Sequence, residues 1–184
     1  MTGLAATALA ATVEAFLTEA QIRWEQGARD GELVATLPGE QKLKTVVSLV
    51  VGQDALSVSA FVIRNPDENH ETFYRYLLRK NLRLPGLGYA VDKAGDVYVT
   101  GRVPASGVDA AYLDQILGVV LEAADAHFNE LLAIGFLTSM QKEWDWRVSR
   151  GESLRNLEAF RALLDHGDSS GHGDTADHGD QTAP

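Results

Sequence analysis

Two neighbouring segments between residues 42 and 63 alternate apolar and polar residues, and the parity of the alternation switches partway. The apolar positions are odd in the first segment and even in the second: Leu43, Val47, Leu49 and Val51, then Leu56, Val58, Ala60 and Val62. Antiparallel partners share a face, so this switch requires a turn with an even number of residues. Gly52-Gln53 offers such a turn, with glycine where a type II′ turn needs positive φ. The pattern predicts a β-hairpin.

The opposite face of this hairpin is mixed in character. Lys42, Lys44 and several serines lie toward one end of it, but it also carries apolar side chains: Val46, Val50, Phe61 and Ile63. Apolar surface of this extent favours burial. We therefore expect the second face to be partly covered as well.

A second hairpin is predicted where the apolar positions keep the same parity on both sides of the turn. They are Leu87, Tyr89 and Val91, then Val97, Val99 and Val103. The turn must therefore be odd, and Lys93-Ala94-Gly95 supplies three residues with glycine at the left-handed position of a G1 bulge. A fifth strand is read at Leu33 to Leu37, closed by a type II turn at Pro38-Gly39.

Helical periodicity accounts for most of the remaining chain. The first helix is read from Leu4 to Gln26 and ended by Gly27; the second lies between the hairpins and is stopped by Pro85-Gly86. A third begins near Asp109, and Gly135 bends or ends it. The predicted fold is α+β: a five-stranded antiparallel sheet with helices packed against it, in the order helix, three strands, helix, two strands, helix, plus a C-terminal helical extension.

The predicted domain organisation is one domain over residues 1–165, with a core at 4–147 and a helical extension at 148–165. Residues 166–184 contain four aspartates and no lysine or arginine, in a chain of net charge −10. They lack large apolar residues, so we expect a disordered, solubilising tail. Its His-Gly-Asp tripeptide recurs three times and offers imidazole and carboxylate ligands, but chelation by a flexible chain costs entropy. We expect no metal and no cofactor.

Several classes of function are disfavoured by what the sequence lacks. It has no cysteine, which excludes disulfides and a thiol nucleophile, and it shows no nucleotide-binding loop or GxSxG elbow. No membrane span or signal peptide is readable, so we expect a cytoplasmic protein. Because no catalytic motif is found, we also expect that the protein is not an enzyme. His127 is predicted to be a structural histidine at the core margin. The alternative from the enzyme class is a small hydrolase or transferase built on Arg64, Asp67 and His70.

The second helix carries a basic stripe. Arg75, Arg79 and Arg83 follow one another at i, i+4 and i+8, Lys80 flanks them, Tyr76 lies among them, and Arg64 precedes the helix. The simpler interpretation is a solvated face that also complements the helix dipole. The alternative interpretation is a partner-binding surface. As its partner we rank an acidic protein segment or a dimer partner above nucleic acid, because the chain is acidic.

The same helix has an unusually wide apolar arc. It consists of Phe73, Tyr74, Leu77, Leu78 and Leu82, which cover about half of the helix circumference. A helix on one sheet face needs a narrower stripe. We therefore expect this helix to bury two surfaces, one of them in a subunit contact.

The stretch from Leu37 to Val103 resembles the YbjN-domain family, described as bacterial sensory transduction regulators. The resemblance is carried by the passages TLPGEQKLKTVVSLVVG, SVSAFVIRNPDENHETFYRYLLRKNLRLPGLGYAVD and AGDVYVTGRVP. It implies a fold like that of the type III secretion chaperones over most of residues 4 to 147. The C-terminal extension and the tail lie outside it.

What the resemblance implies about function is binding without catalysis. The family has no established enzymatic motif, and its chaperone-like relatives are commonly homodimers that bind extended protein segments. We therefore expect a non-catalytic, chaperone-like regulatory module that acts as a homodimer on an unidentified protein segment. The alternative is a nucleic-acid-binding regulator that uses the basic stripe.

Overall fold

Six antiparallel strands form one sheet in the computed structural model, which describes residues 2–152, with side-chain environments from residue 6 onward. The strands are β1 Arg23–Gln26, β2 Glu32–Pro38, β3 Lys44–Val51, β4 Ala55–Ile63, β5 Gly88–Val91 and β6 Val97–Pro104. Their spatial order is β1-β2-β3-β4-β6-β5. The α+β class is confirmed, but the sheet has six strands where five were predicted.

The hairpin of β3 and β4 has the predicted parity. Val51 pairs with Leu56, and Val47 pairs with Ala60, so the odd and even apolar sets share a face. The turn itself lies one residue later than predicted: the Gly52 N–H donates to the Ala55 carbonyl at 2.9 Å, and Gly52 does not have positive φ. The even turn length is therefore right and the type II′ turn at Gly52-Gln53 is wrong.

The hairpin of β5 and β6 confirms its predicted three-residue turn. Val91 pairs with Val97, and Gly95 has φ +90°. The Asp92 carboxylate stabilises the turn by accepting hydrogen bonds from the backbone N–H groups of Ala94, at 2.8 Å, and Asp96, at 2.9 Å. The positive φ of Gly95 and the hydrogen bonds of the Asp92 carboxylate therefore stabilise the same three-residue turn.

The additional strand comes from the C-terminal part of the predicted first helix. Helix α1, Thr2–Glu19, ends in a Schellman motif with Gln21 at φ +57°, in which the Ile22 N–H donates to the Leu17 carbonyl at 2.9 Å. The chain then enters β1, which pairs with β2. Trp24 fits the apolar face of a continued helix, but Ile22 and Trp24 also alternate with period two, and strand pairing decided between these patterns.

One face of the sheet is covered by helices. Helix α1, helix α3 (Ala110–Leu121), a π-helical turn (Glu122–Ala126) and helix α4 (Phe128–Gly135) lie there, and the inward side chains of the central strands are buried. The predicted third helix is therefore interrupted, although its end at Gly135 is confirmed. The Asp109 carboxylate caps α3 by accepting from the Tyr112 N–H at 2.8 Å.

No helix within residues 2–136 covers the outer face of the sheet, where Val46 and Phe61 are each 43% exposed. The covering layer expected for this face is therefore not found in that part of the chain. Leu43, predicted to join the core face, precedes β3 and is 92% exposed. Ile63 is buried instead, because a register irregularity between Phe61 and Ile63 ends the simple alternation in β4.

The chain divides into two compact units, and the second begins at Leu137. Its described part is helix α5, Leu137–Arg150, in which Arg147 pairs with Glu143 at 2.6 Å. The predicted helix near residues 154–164 and the His-Gly-Asp tail lie outside the described residues. The domain bounds at 165 and 166 therefore stay predictions.

Candidate partner-binding surface on the second helix

Helix α2, His70–Asn81, connects the two hairpins and carries most of the predicted site residues. Asn69 precedes it in the left-handed conformation at φ +54°, and its side-chain amide donates to the Ile134 carbonyl at 3.0 Å. Glu71 lies in the first turn, and Arg79 and Lys80 lie in the last, so the charges complement the helix dipole as predicted.

The predicted dimer-contact residues separate into two groups. Phe73 and Leu77 are buried in the core of this chain, so a partner subunit cannot contact them directly and their assignment to the dimer interface is corrected. Tyr74 is half-buried, and its hydroxyl lies 3.3 Å from the side-chain oxygen of Asn65. Leu78 and Leu82 are 67% and 87% exposed and remain available.

The three arginines of the basic stripe all lie on the exposed side of α2 or just beyond its end. Arg75 pairs with Glu71 at 2.5 Å, and this pair is open to solvent. Arg79 and Arg83 are exposed, and no ion pair involves either of them within residues 2–152. Exposed cations beside exposed leucines form a mixed apolar and basic surface, which we call the α2 surface (Arg75, Leu78, Arg79, Leu82 and Arg83).

Lys80 and Tyr76 point away from this surface, toward α4. The Tyr76 hydroxyl hydrogen-bonds the Glu130 carboxylate, and the Lys80 ammonium lies 3.4 Å from His127 Nδ1 and 5.1 Å from the centre of the Tyr76 ring. Both side chains therefore hold α2 against α4, and they contribute less to an open stripe than predicted. Burial, followed by the charge of Lys80, lowers the pKa of His127.

Arg64 is also engaged within the chain. Its guanidinium makes two contacts with the Asp67 carboxylate, at 2.5 and 2.7 Å, and lies 4.4 Å from the centre of the Phe136 ring. A bidentate pair on an aromatic ring fixes an arginine in place.

His70 is the third residue of the hydrolase alternative. The centre of its ring lies 6.2 Å from the centre of the Tyr74 ring.

The most elaborate polar site is one that sequence analysis missed. Asp125, in the π-helical turn, is buried, and its carboxylate accepts backbone N–H groups from the loop between β2 and β3. The donors are Lys42 at 2.7 Å, Glu40 at 2.8 Å and Gln41 at 3.2 Å. Burial works against the charged form, but these three donors outweigh it and lower the pKa of Asp125.

Two further residues, Gly39 and Lys42, support this arrangement. We call it the Asp125 loop receptor: the Asp125 carboxylate with the backbone N–H groups of residues 40–42. A Cβ at Gly39 would collide with the Asp125 carboxylate and the Lys42 carbonyl, so glycine is needed for close approach, and the φ of Gly39 is not positive. The predicted type II turn at Pro38-Gly39 is therefore wrong. The Lys42 ammonium donates to the carbonyls of Phe61 and Val62, each at 3.0 Å.

One sequence signal could have indicated this receptor. Ala124 lies on the inner stripe of the predicted third helix, and Asp125 directly follows it. A charged residue that is buried at such a position requires a partner. The partner could not be named, because the loop that supplies the three donors lies far away in the chain. The receptor is fully satisfied and orders the loop, so its role is structural.

Two further classes of site find no support in the described part of the chain. No group of three or more histidine, aspartate or glutamate side chains is arranged there to hold a metal ion. Within residues 2–152, none of the helices combines the length and the apolar character needed to cross a lipid bilayer.

Two solved structures with a similar fold are complexes of two proteins. The chain is similar to a protein in the ExsC-ExsE complex, with TM-score 0.50, 18% identity and coverage of 71% of this chain and 96% of that one. It is likewise similar to a protein in the heterodimeric ExoU-SpcU complex from the type III secretion system of Pseudomonas aeruginosa, with TM-score 0.50, 15% identity and coverage of 66% and 96%. At these identities the likeness shows a chaperone-like fold.

Sequence relatives are much closer. The uncharacterized protein ML2442 of Mycobacterium leprae is 52% identical over 149 residues, which cover 78% of this chain and 81% of that protein. The uncharacterized protein Rv0487 of Mycobacterium tuberculosis is 50% identical over 151 residues, with coverage of 80% and 82%. Residues 9–133 match the model of the family YbjN, described as "Putative bacterial sensory transduction regulator". Because this match spans more than half of the sequence, the chain belongs to the YbjN family.

Proposed function

We propose that this chain is a non-catalytic, cytoplasmic, chaperone-like module that acts as a homodimer and binds a segment of another protein. The observation that carries the proposal is the α2 surface, where Leu78 and Leu82 are largely exposed beside Arg75, Arg79 and Arg83. Large apolar side chains at i and i+4 with adjacent cations are typical of an interaction surface.

The leucines supply the reason for association. Burying a leucine side chain that was exposed contributes about 1.5–3 kcal/mol, so a symmetric contact that buries both from each subunit gains several times that amount. Part of this gain is offset by the loss of translational and rotational freedom on association. Two-fold contact between copies of α2 buries all four leucines at once.

The arginines supply the reason for preferring an acidic partner. Arg79 and Arg83 keep their charge on the surface of a chain whose net charge is −10, so they form a local positive region on an acidic molecule. Such a region increases the association rate of acidic segments and orients them, and its effect decreases as salt screens it. The two protein complexes with this fold support binding to a protein segment.

The dimer is tested by sedimentation velocity or light scattering across micromolar concentrations. We expect the wild type to be a dimer, and we expect Leu78→Ser with Leu82→Ser to give a folded monomer. Leu43→Ser is the matched control, because Leu43 is at least as exposed as Leu78 and Leu82 but lies outside α2. A monomeric wild type would contradict the homodimer, and a control that dissociates equally would place the interface elsewhere.

The alternative function is nucleic-acid binding, and the absence of ion pairs at Arg79 and Arg83 among the described residues favours it. Three neutralised phosphates predict a log–log salt slope of about −2 to −3. Titration of a labelled single-stranded RNA and a labelled acidic peptide at several salt concentrations distinguishes the two partners. Tight, salt-dependent RNA binding that is lost with Arg75→Ala, Arg79→Ala and Arg83→Ala together would favour the alternative.

A further inference from the structure

The outer face of the sheet is a second surface, which helices α1 to α4 leave open. Its uncharged outward residues on the central strands are half-buried or exposed: Val46, Ser48, Val50, Ser57, Ser59, Phe61, Tyr98 and Thr100. Charged residues lie toward the two ends of the face, with Lys44 at one end and with Glu32, opposite Val50, and Arg102, opposite Ser57, at the other. The part between them is uncharged, and sheets usually bury or charge such a face.

One half of this face is apolar. Phe61 pairs with Tyr98 across β4 and β6, and their rings meet edge to face at 5.6 Å. Val47 pairs with Ala60, which places Val46 beside Phe61 on the outer side. Val46, Phe61 and Tyr98 therefore form a row across three strands, which we call the outer row.

Two basic residues, Arg23 and Lys44, lie at the margin of the outer row, and Glu25 is an acidic neighbour on the same face. Arg23 pairs with Thr36, and Thr36 pairs with Val46, so Arg23 lies on the same face as the row. Lys44 lies two residues before Val46 on β3 and also faces outward. Arg23, Lys44 and Val46 line a shallow depression of about 180 Å³ together with Trp24, Glu25, Val34 and Thr36. No ion pair involves Arg23 or Lys44 among the described residues.

We propose that the outer row binds a segment of a partner protein that combines aliphatic and acidic residues. This inference deepens the proposed function and rests on it, because it assigns the bound segment to the sheet and leaves dimerisation to α2. The aliphatic side chains pack on Val46, Phe61 and Tyr98, and the carboxylates meet Arg23 and Lys44.

Charge complementarity selects this occupant over a second copy of the chain. A face-to-face pair of identical sheets would bring the basic margins together, and the outer row is less exposed than Leu78 and Leu82 on α2, so it offers less apolar area to offset that repulsion. An extended segment places alternate side chains about 7 Å apart on one side, and strands in the sheet lie about 4.8 Å apart. Two or three aliphatic residues at alternate positions therefore cover the outer row.

The test uses two defined probes: a labelled peptide of about ten residues with leucine at three alternate positions and glutamates at one end, and its twin with lysine in place of glutamate. We expect the acidic peptide to bind the full chain more tightly than the basic twin. Val46→Ser with Phe61→Ser should weaken it about ten-fold or more, and Arg23→Ser with Lys44→Ser about three-fold or more. Gln115→Ser, on the exposed side of α3, is the control and should leave binding unchanged.

Site-specific labelling keeps the proposal testable if the sheet variant does not fold. The chain has no cysteine, so Ser59→Cys on the outer face and Gln115→Cys on the exposed side of α3 each introduce one thiol. The acidic peptide should slow alkylation of the first thiol and leave that of the second unchanged. Equal protection of both thiols, or of neither, would overturn the inference.

Other results separate this inference from the proposed function. One result would leave the proposed function intact and exclude the outer row as the site. In it, binding of the acidic peptide is unaffected by Val46→Ser with Phe61→Ser but is lost with the three arginine substitutions on α2. Equal affinity for both peptides, or no binding by the wild type, would also overturn the outer row. Conversion of the dimer to a monomer by the sheet variant would identify a second copy as the occupant.

Discussion

The Asp125 loop receptor and the α2 surface use charge in opposite ways. Asp125 is buried, and three backbone N–H groups satisfy its carboxylate. Arg79 and Arg83 are exposed, and no ion pair satisfies them within the described residues. The hydrogen-bonding groups of Asp125 are all used inside the chain, so none is left for a partner. The two arginines stabilise the fold little, and their charges can still interact with a partner.

This difference gives a rule for separating structural from functional charges in a protein without a catalytic motif. A charge with complete internal hydrogen bonding contributes to stability, and its removal leaves buried donors unsatisfied. An exposed charge next to exposed apolar residues contributes to association. The predictions below test that separation, in order of decreasing effect.

Removal of the Asp125 carboxylate should have the largest effect on stability. Asp125→Ala leaves three backbone N–H groups without their acceptor, so we expect the free energy of unfolding to decrease by about 3 kcal/mol. Chemical denaturation measures this loss. Asp114→Ala, at an exposed aspartate on α3, is the matched control and should change stability little. Equal effects of the two substitutions would show that the receptor is not a source of stability.

A smaller, pH-dependent effect is expected at His127, which links α2 to α4. Its pKa is lowered in the folded chain from the ordinary value of 6.5, so the unfolded chain binds the proton first and stability decreases as pH falls below that value. Melting temperatures from about pH 7.5 to 5 should therefore decrease more for the wild type than for His127→Gln. An identical acid dependence in both proteins would contradict this linkage, and His70→Gln controls for loss of an exposed histidine.

The smallest stability effect is expected on the α2 surface. Arg79→Ser with Arg83→Ser should lower the free energy of unfolding by less than about 1 kcal/mol, because exposed charges contribute only through the helix dipole and weak solvent-screened interactions. The same variant should slow the salt-dependent association of an acidic peptide without abolishing its binding. A large loss of stability without any change in binding would make these arginines structural and reverse the comparison.

Much of the sheet could be predicted because alternation is a local property. The parity switch between Val51 and Leu56 and the three-residue turn at Gly95 follow from residues close to one another in the chain. The additional strand β1 was missed because Trp24 satisfies both a helical and a strand period. Pairing with β2, which no local pattern reveals, decided between them.

The candidate site was predictable only in part for the same reason. Spacing placed the arginines and leucines on α2, but it could not tell which apolar residues the core would take. Phe73 and Leu77 face the core, while Tyr76 and Lys80 turn toward α4, because elements later in the chain pack on that side of the helix. The wide apolar arc correctly indicated that α2 has two apolar sides. Only the tertiary structure showed which side is buried in the core and which is exposed.

The amino-acid sequence by itself determined the hairpins, the faces of their strands and the basic character of α2, since each depends on residues within a few positions of one another. Only the tertiary structure decided that Asp125 binds the loop at Glu40, 85 residues away, and that no helix within residues 2–136 covers the outer face of the sheet. Contacts between distant segments depend on how whole elements pack, and periodicity within an element carries no information about its neighbours.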